Sequence, residues 1–124
     1  TDVLQTTLEG HTGDDDAFSP EGERVVTVSQ DTTALIWDAK TGKLLLTLEC
    51  IDPISSCAFS PDDERIVTGS LCGTALIWDA ETGASRTTLR GHDDYVSSCA
   101  FSPDGTRLVT ACFDDTARLW NIAL

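Results

Sequence analysis

The chain is 124 residues long, the size of one ordinary domain, with 40% hydrophobic residues and no apolar run long enough to cross a bilayer. Its 21 acidic against 8 basic side chains give a net charge of -13, which repels phosphate backbones and anionic lipid, since both are bound chiefly through Lys and Arg. Nucleic-acid and membrane partners are set aside on that ground, and the acidity either solvates loops and opposes association or attracts a basic partner.

No charged-then-apolar segment with a small-residue cleavage site opens the sequence. No Met occurs, at position 1 or elsewhere, which suits a segment or a processed N-terminus. The five cysteines, Cys50, Cys57, Cys72, Cys99 and Cys112, are odd in number and contain no CxxC pair, so a reducing compartment and a cytoplasmic location are expected. Cys57 and Cys99 both fall within Ser-Ser-Cys-Ala-Phe, where a small buried apolar residue is needed and a free thiol serves as one.

In chain order, Val3 to Leu8 is the first predicted strand, followed by Gly10-His11 and three carboxylates, Asp14-Asp15-Asp16. Phe18-Ser19-Pro20 then opens a turn, a β-branched run leads to Thr27, and a further strand carries Trp37-Asp38. Lys40-Thr41-Gly42 is a turn, and Leu44 to Leu48 the strand after it. The order repeats through Phe59-Ser60-Pro61, Thr68, Trp78-Asp79, the turn Glu81-Thr82-Gly83 and a strand from Ala84 to Leu89. It repeats again as strands Val96 to Phe101, Arg107 to Cys112 and Ala117 to Asn121, parted by Ser102-Pro103-Asp104-Gly105 and by Asp114-Asp115-Thr116. No helical period occurs anywhere.

The tryptophans stand at 37, 78 and 120, spacings of 41 and 42, and the phenylalanines at 18, 59 and 101 keep the same spacings. A fixed period of this length means one supersecondary unit repeated, each copy too small to bury its own apolar face. Aligning His11 with His92 makes Val3 to Leu8 a fourth-type strand without its first three, while the last repeat stops after its third strand.

Gly10-His11 and Gly91-His92, the Phe-Ser-Pro turns, Thr-Gly-Ser at Thr68 to Ser70, Asp31-x-Thr33 and Asp114-x-Thr116, and Leu-Ile-Trp-Asp at Leu35 to Asp38 and Leu76 to Asp79 together resemble the tryptophan-aspartate (WD40) repeat family. The resemblance covers essentially the whole chain. It implies an all-β fold of three four-stranded propeller blades, an incomplete ring completed by other copies or by further sequence. The repeats fall at approximately 10–49, 50–90 and 91–124, with 1–9 an outer strand that closes another blade.

The resemblance also implies a buried His, Thr, Asp and Trp hydrogen-bond network in each blade. Its members are His11, Thr27, Asp31 and Trp37 in the first repeat and His92, Thr110, Asp114 and Trp120 in the third. The second repeat keeps Thr68 and Trp78 but places Ile51 and Cys72 where His and Asp would stand. A joint loss is physically reasonable, because a buried His without its acceptor leaves unpaired groups costing about 1 to 3 kcal/mol. The first repeat is two residues shorter between His11 and Phe18 than the third between His92 and Phe101. Its three carboxylates leave either a frayed innermost strand or an acidic lip on the channel, and they lack the spacing of a calcium loop.

A Ser or Thr, a His and an Asp close together invite a hydrolase reading. Here the set repeats with the blades, includes a Trp, and comes without a GxSxG elbow, a Gly-rich phosphate loop, zinc-ligand spacing or a dinucleotide fingerprint, so no catalytic residue, metal or cofactor is assigned. The function implied by the resemblance is a non-catalytic scaffold for protein partners, acting through one loop face and the channel mouth; the alternative is a propeller enzyme or a small-ligand-binding propeller. On that face Gln30, Leu71, Tyr95, Phe113 and Asp115 are the partner-binding candidates, since aromatics beside acidic residues suit a basic, amphipathic peptide. Packing against neighbouring loops is the other reading of Tyr95 and Phe113. Three blades do not close a ring, so a homo-oligomer of six or nine blades, or a longer propeller, is expected.

Overall fold

The computed structural model describes residues 15–28, 32–92 and 94–122. Among them it holds eleven strands and no helix. The first sheet is β1 (Asp15–Phe18), β2 (Arg24–Val28), β3 (Thr33–Asp38) and β4 (Leu44–Glu49). The second is β5 (Ile54–Phe59), β6 (Arg65–Ser70), β7 (Ala75–Asp79) and β8 (Ser85–Leu89). The third is β9 (Val96–Phe101), β10 (Arg107–Cys112) and β11 (Ala117–Asn121). Each sheet is an antiparallel meander in sequence order, so its turns alternate between two opposite ends.

The same side chains build the same turn in each blade. Ser19, Ser60 and Ser102 accept a hydrogen bond at Oγ from the backbone N–H of Arg24, Arg65 and Arg107, at 3.1, 2.9 and 3.0 Å. The tightness of this turn forces its fourth residue into the left-handed region, and Gly22, Asp63 and Gly105 stand there with φ of 74, 68 and 75°. At the third strand's end, Asp38 Oδ1 accepts from Lys40 and Thr41, and Asp79 Oδ1 from Glu81 and Thr82. The Asp after each of these tryptophans thus caps a turn, and these backbone donors hold both carboxyls below their usual range.

Alternate residues of each strand point to one face, and these faces stack blade on blade. Val26, Ile36 and Leu48 of the first sheet pack with Ile54, Phe59, Ile66, Trp78 and Ala80 of the second. Val67, Ala75 and Ile77, on the opposite face of the second sheet, pack with Leu108 and Trp120 of the third. Innermost strands adjoin as well: β5 lies against β1 and β2, and β9 against β5 and β6. Gly69 shows how closely, because a Cβ there would come within 2.6 Å of Val96 in the next blade. The result is an open fan of propeller blades.

β1 is four residues long where β5 and β9 have six. Its ladder begins at Asp15 opposite Val28, and Asp16 is exposed, so that carboxylate stays in water. The predicted strand Val3 to Leu8, with Asp14, lies outside the described residues.

Candidate functional site

The third blade carries the fullest polar arrangement. Trp120 Nε1 donates to Thr110 Oγ1 at 2.9 Å, and His92 Nε2 lies 2.6 Å from the same oxygen. A hydroxyl that accepts from Trp120 still has its own proton for His92 Nε2, which puts the imidazole proton on Nδ1. Nδ1 faces Thr116 Oγ1 at 3.4 Å and Asp114 Oδ2 at 3.7 Å, while Thr116 Oγ1 donates to Asp114 Oδ1. The chain of hydrogen bonds runs from Trp120 through Thr110, His92 and Thr116 to the accepting carboxylate of Asp114. Thr116 is a link that the sequence reading left out of the network, although it stands in the quoted Asp114-x-Thr116.

The other blades repeat the outer bond, from Trp37 Nε1 to Thr27 Oγ1 at 2.9 Å and from Trp78 Nε1 to Thr68 Oγ1 at 3.0 Å. His11 and Asp31, the remaining members expected in the first blade, lie outside the described residues. In the second blade the expected place of Ile51 is corrected. Ile51 is 93% exposed, and the residue at the position of His92 is Cys50, whose thiol burial pushes up to about 11. The count from the ladder explains it: Ile54 and Val96 pair with Ser70 and Cys112, so stepping back four residues leads to Cys50 and His92. Cys50 is smaller than His, and a cavity of about 190 Å³ remains, lined in part by Cys50, Thr68, Ser70, Thr74 and Arg90. Cys72 takes the Asp position and is exposed, while Ser70 and Thr74 hydroxyls bond each other at 2.9 Å.

The strand meander places the β4–β5, β6–β7, β8–β9 and β10–β11 connections at one end. There the Tyr95 and Phe113 rings stack with centroids 5.2 Å apart at 26°, joined by a backbone bond from Phe113 N to Tyr95 O of 3.0 Å. Both are exposed, at 41% and 62%. Exposed Asp94 and Asp115 flank them, Asp94 Oδ1 accepting from the Tyr95 N–H at 2.8 Å and Asp115 adopting φ 68°. Leu71 is half-buried in the matching turn of the second blade, its N–H donating to Pro53 O at 2.9 Å. That turn lies against the Tyr95 loop, because a Cβ on Gly73 (φ +85°) would meet His92 O at 2.4 Å and Asp94 O at 3.1 Å. Gln30 lies outside the described residues.

The family model described as "WD domain, G-beta repeat" matches residues 2–38, 42–79 and 83–121. The chain belongs to the WD40 repeat family. Its fold is similar to that in the crystal structure of RRP9 WD40 repeats, with TM-score 0.87 at 23% identity, a likeness that shows the fold alone. The match covers 93% of this chain and 37% of that one, so the chain spans little more than a third of that WD40 structure. No curated protein matches it.

Propellers of the WD40 family serve generally as protein-interaction scaffolds. His92, Cys112 and Asp114 bring possible metal-ligating atoms within 4.8 Å of one another, a residue set of the type that binds zinc. Here those atoms already serve the strut, with His92 between Thr110 and Thr116 and Cys112 Sγ accepting from the Asp114 N–H at 3.4 Å.

One set of residues on the opposite end escaped the sequence reading. Arg24 lies over the Phe59 ring of the next blade at 5.3 Å, and Arg65 over Phe101 at the same distance. The signal was present: each Phe-Ser-Pro is followed by an Arg six residues after the Phe, at 24, 65 and 107.

Proposed function

We propose that this WD40 chain is a non-catalytic scaffold that binds a basic, amphipathic protein segment through the loop face around Tyr95 and Phe113. The observation that carries the reading is the exposed Tyr95–Phe113 stack with Asp94 and Asp115 beside it. A stacked aromatic pair is a rigid apolar anchor that loses little side-chain entropy on binding, and the carboxylates favour a cationic partner. Against catalysis, Thr110 is completely buried and its oxygen is engaged by Trp120 and His92, so it lacks the open approach that a nucleophile requires. The net charge of -13 favours a basic protein partner over nucleic acid or a membrane surface. Five free thiols suit a reducing, cytoplasmic setting. The ring is completed by blades beyond these three, in other copies or in further sequence.

The test is binding of an immobilised library of peptides carrying Lys or Arg beside apolar residues. Tyr95→Ala and Phe113→Ala should each weaken the bound peptides by tenfold or more, about 1.4 kcal/mol or above. Asp104→Ala, at the opposite end, should leave them unchanged. Equal binding by all three variants would refute the assignment of this face.

A further inference from the structure

The second blade keeps both ends of the polar strut and lacks its middle. In the third blade the His92 ring lies between Thr110 Oγ1 at 2.6 Å and Thr116 Oγ1 at 3.4 Å. The 42-residue spacing of Phe59 and Phe101 carries Cys50, Thr68 and Thr74 onto His92, Thr110 and Thr116. All three line the one cavity of about 190 Å³, so that space stands where the ring of a histidine would lie. Trp78 Nε1 still donates to Thr68 Oγ1 at 3.0 Å, as Trp120 does to Thr110.

Thr68 is 3% exposed, and its oxygen is taken by the Trp78 indole. Besides the sulfur of Cys50, a weak acceptor, nothing among the described residues accepts the proton of that hydroxyl. A buried donor so poorly matched favours any ligand that brings it a good acceptor. Thr74 Oγ1 and Ser70 Oγ, 2.9 Å apart, share one hydrogen bond, which leaves Thr74 Oγ1 able to accept another. Ile54 and Leu76 add apolar wall. The two charged residues lining the cavity, Asp52 and Arg90, are of opposite sign, and burial keeps Cys50 a neutral thiol. Exposed Ile51 and Arg90 stand at its edge and open it to solvent. A cavity of about 150 Å³ accepts a benzene ring, whereas drug-sized ligands need about 300 Å³ or more. The space therefore suits one small, uncharged ring.

We infer that this cavity binds a small neutral nitrogen heterocycle of the imidazole class, its bare ring nitrogen accepting from the Thr68 hydroxyl and its N–H donating to Thr74 Oγ1. The third blade supplies the template, with His92 as the covalently held counterpart of the ligand. Water would satisfy the hydroxyls alone, while a flat ring also covers Ile54 and Leu76. The site goes beyond the scaffold reading and does not depend on it.

Titration of the purified chain with imidazole, followed by NMR at about pH 8 where the ring is mostly neutral, tests it. The tryptophans stand one to a blade, so their indole N–H resonances report which blade is occupied. The Trp78 resonance should move saturably, while that of Trp120, whose Thr110 is already engaged by His92, should stay. Cys50→His puts a ring in place covalently and should abolish the response. Thr74→Val, at a half-buried position, should weaken imidazole about fivefold or more with the sheet signal in circular dichroism intact. A Trp78 resonance that does not move, or that moves no more than that of Trp120, would overturn the proposal and leave the cavity to water. A folded Cys50→His chain that still responds, or a Thr74→Val chain that binds as the wild type does, would overturn it too. Peptide binding at Tyr95 and Phe113 is read separately and can fail or succeed on its own.

Discussion

Asp104 shows how much one side chain is asked to do in a turn of this kind. It is fully exposed, yet its carboxylate accepts from the Ser102 hydroxyl at 2.7 Å and from the Thr106 N–H and hydroxyl at 3.0 and 2.7 Å. These donors, the Ser102 hydroxyl foremost, draw its pKa from 3.8 down to about 2. A carboxylate with a depressed folded-state pKa stabilises the fold fully above its unfolded value, and that contribution fades as pH falls through 3.8 towards 2. The difference in denaturation midpoint between the wild-type chain and Asp104→Ala should therefore be constant above about pH 5, shrink as pH falls through 3.8, and vanish only below about pH 2. A carboxyl resonance of Asp104 titrating at the ordinary value would contradict the hydrogen-bond account.

At the scale of the blade, the struts separate what packing does from what polar bonding does. Asp114→Ala removes the acceptor that faces His92 Nδ1 and takes the Thr116 hydroxyl, and it should lower stability by about 1 to 3 kcal/mol. Cys72→Ala changes the equivalent position in the second blade, an exposed thiol, and should stay within about 0.5 kcal/mol. Urea midpoints compare the two directly, and equal shifts would refute a polar role for Asp114. The strands themselves were legible because Ser-Pro turns and β-branched runs mark them: β9, β10 and β11 fall at the predicted residues. The second blade's counterpart of His92 was misplaced at Ile51, although the 42-residue spacing of Phe59 and Phe101 already sets Cys50 there, and the ladder from Ile54 gives the same answer. The contacts of Arg24 over Phe59 and Arg65 over Phe101 were missed for a different reason: they act between blades, and a reading that takes one repeat at a time does not bring the two partners together.

For the whole molecule, charge governs how a partner approaches. A basic peptide approaching a chain of net charge -13 is attracted, and salt screens that attraction, the screening length being about 8 Å at physiological ionic strength. Its association rate should fall as salt is added, while the Tyr95–Phe113 contact, being apolar, keeps the dissociation rate nearly constant. Stopped-flow mixing with a Lys-rich peptide across a salt series measures this rate. Peptide association that slows as salt is added is the expected outcome. Peptide association insensitive to salt would mean that Asp94 and Asp115 do not steer the partner, and would place the recognition in the aromatic stack alone.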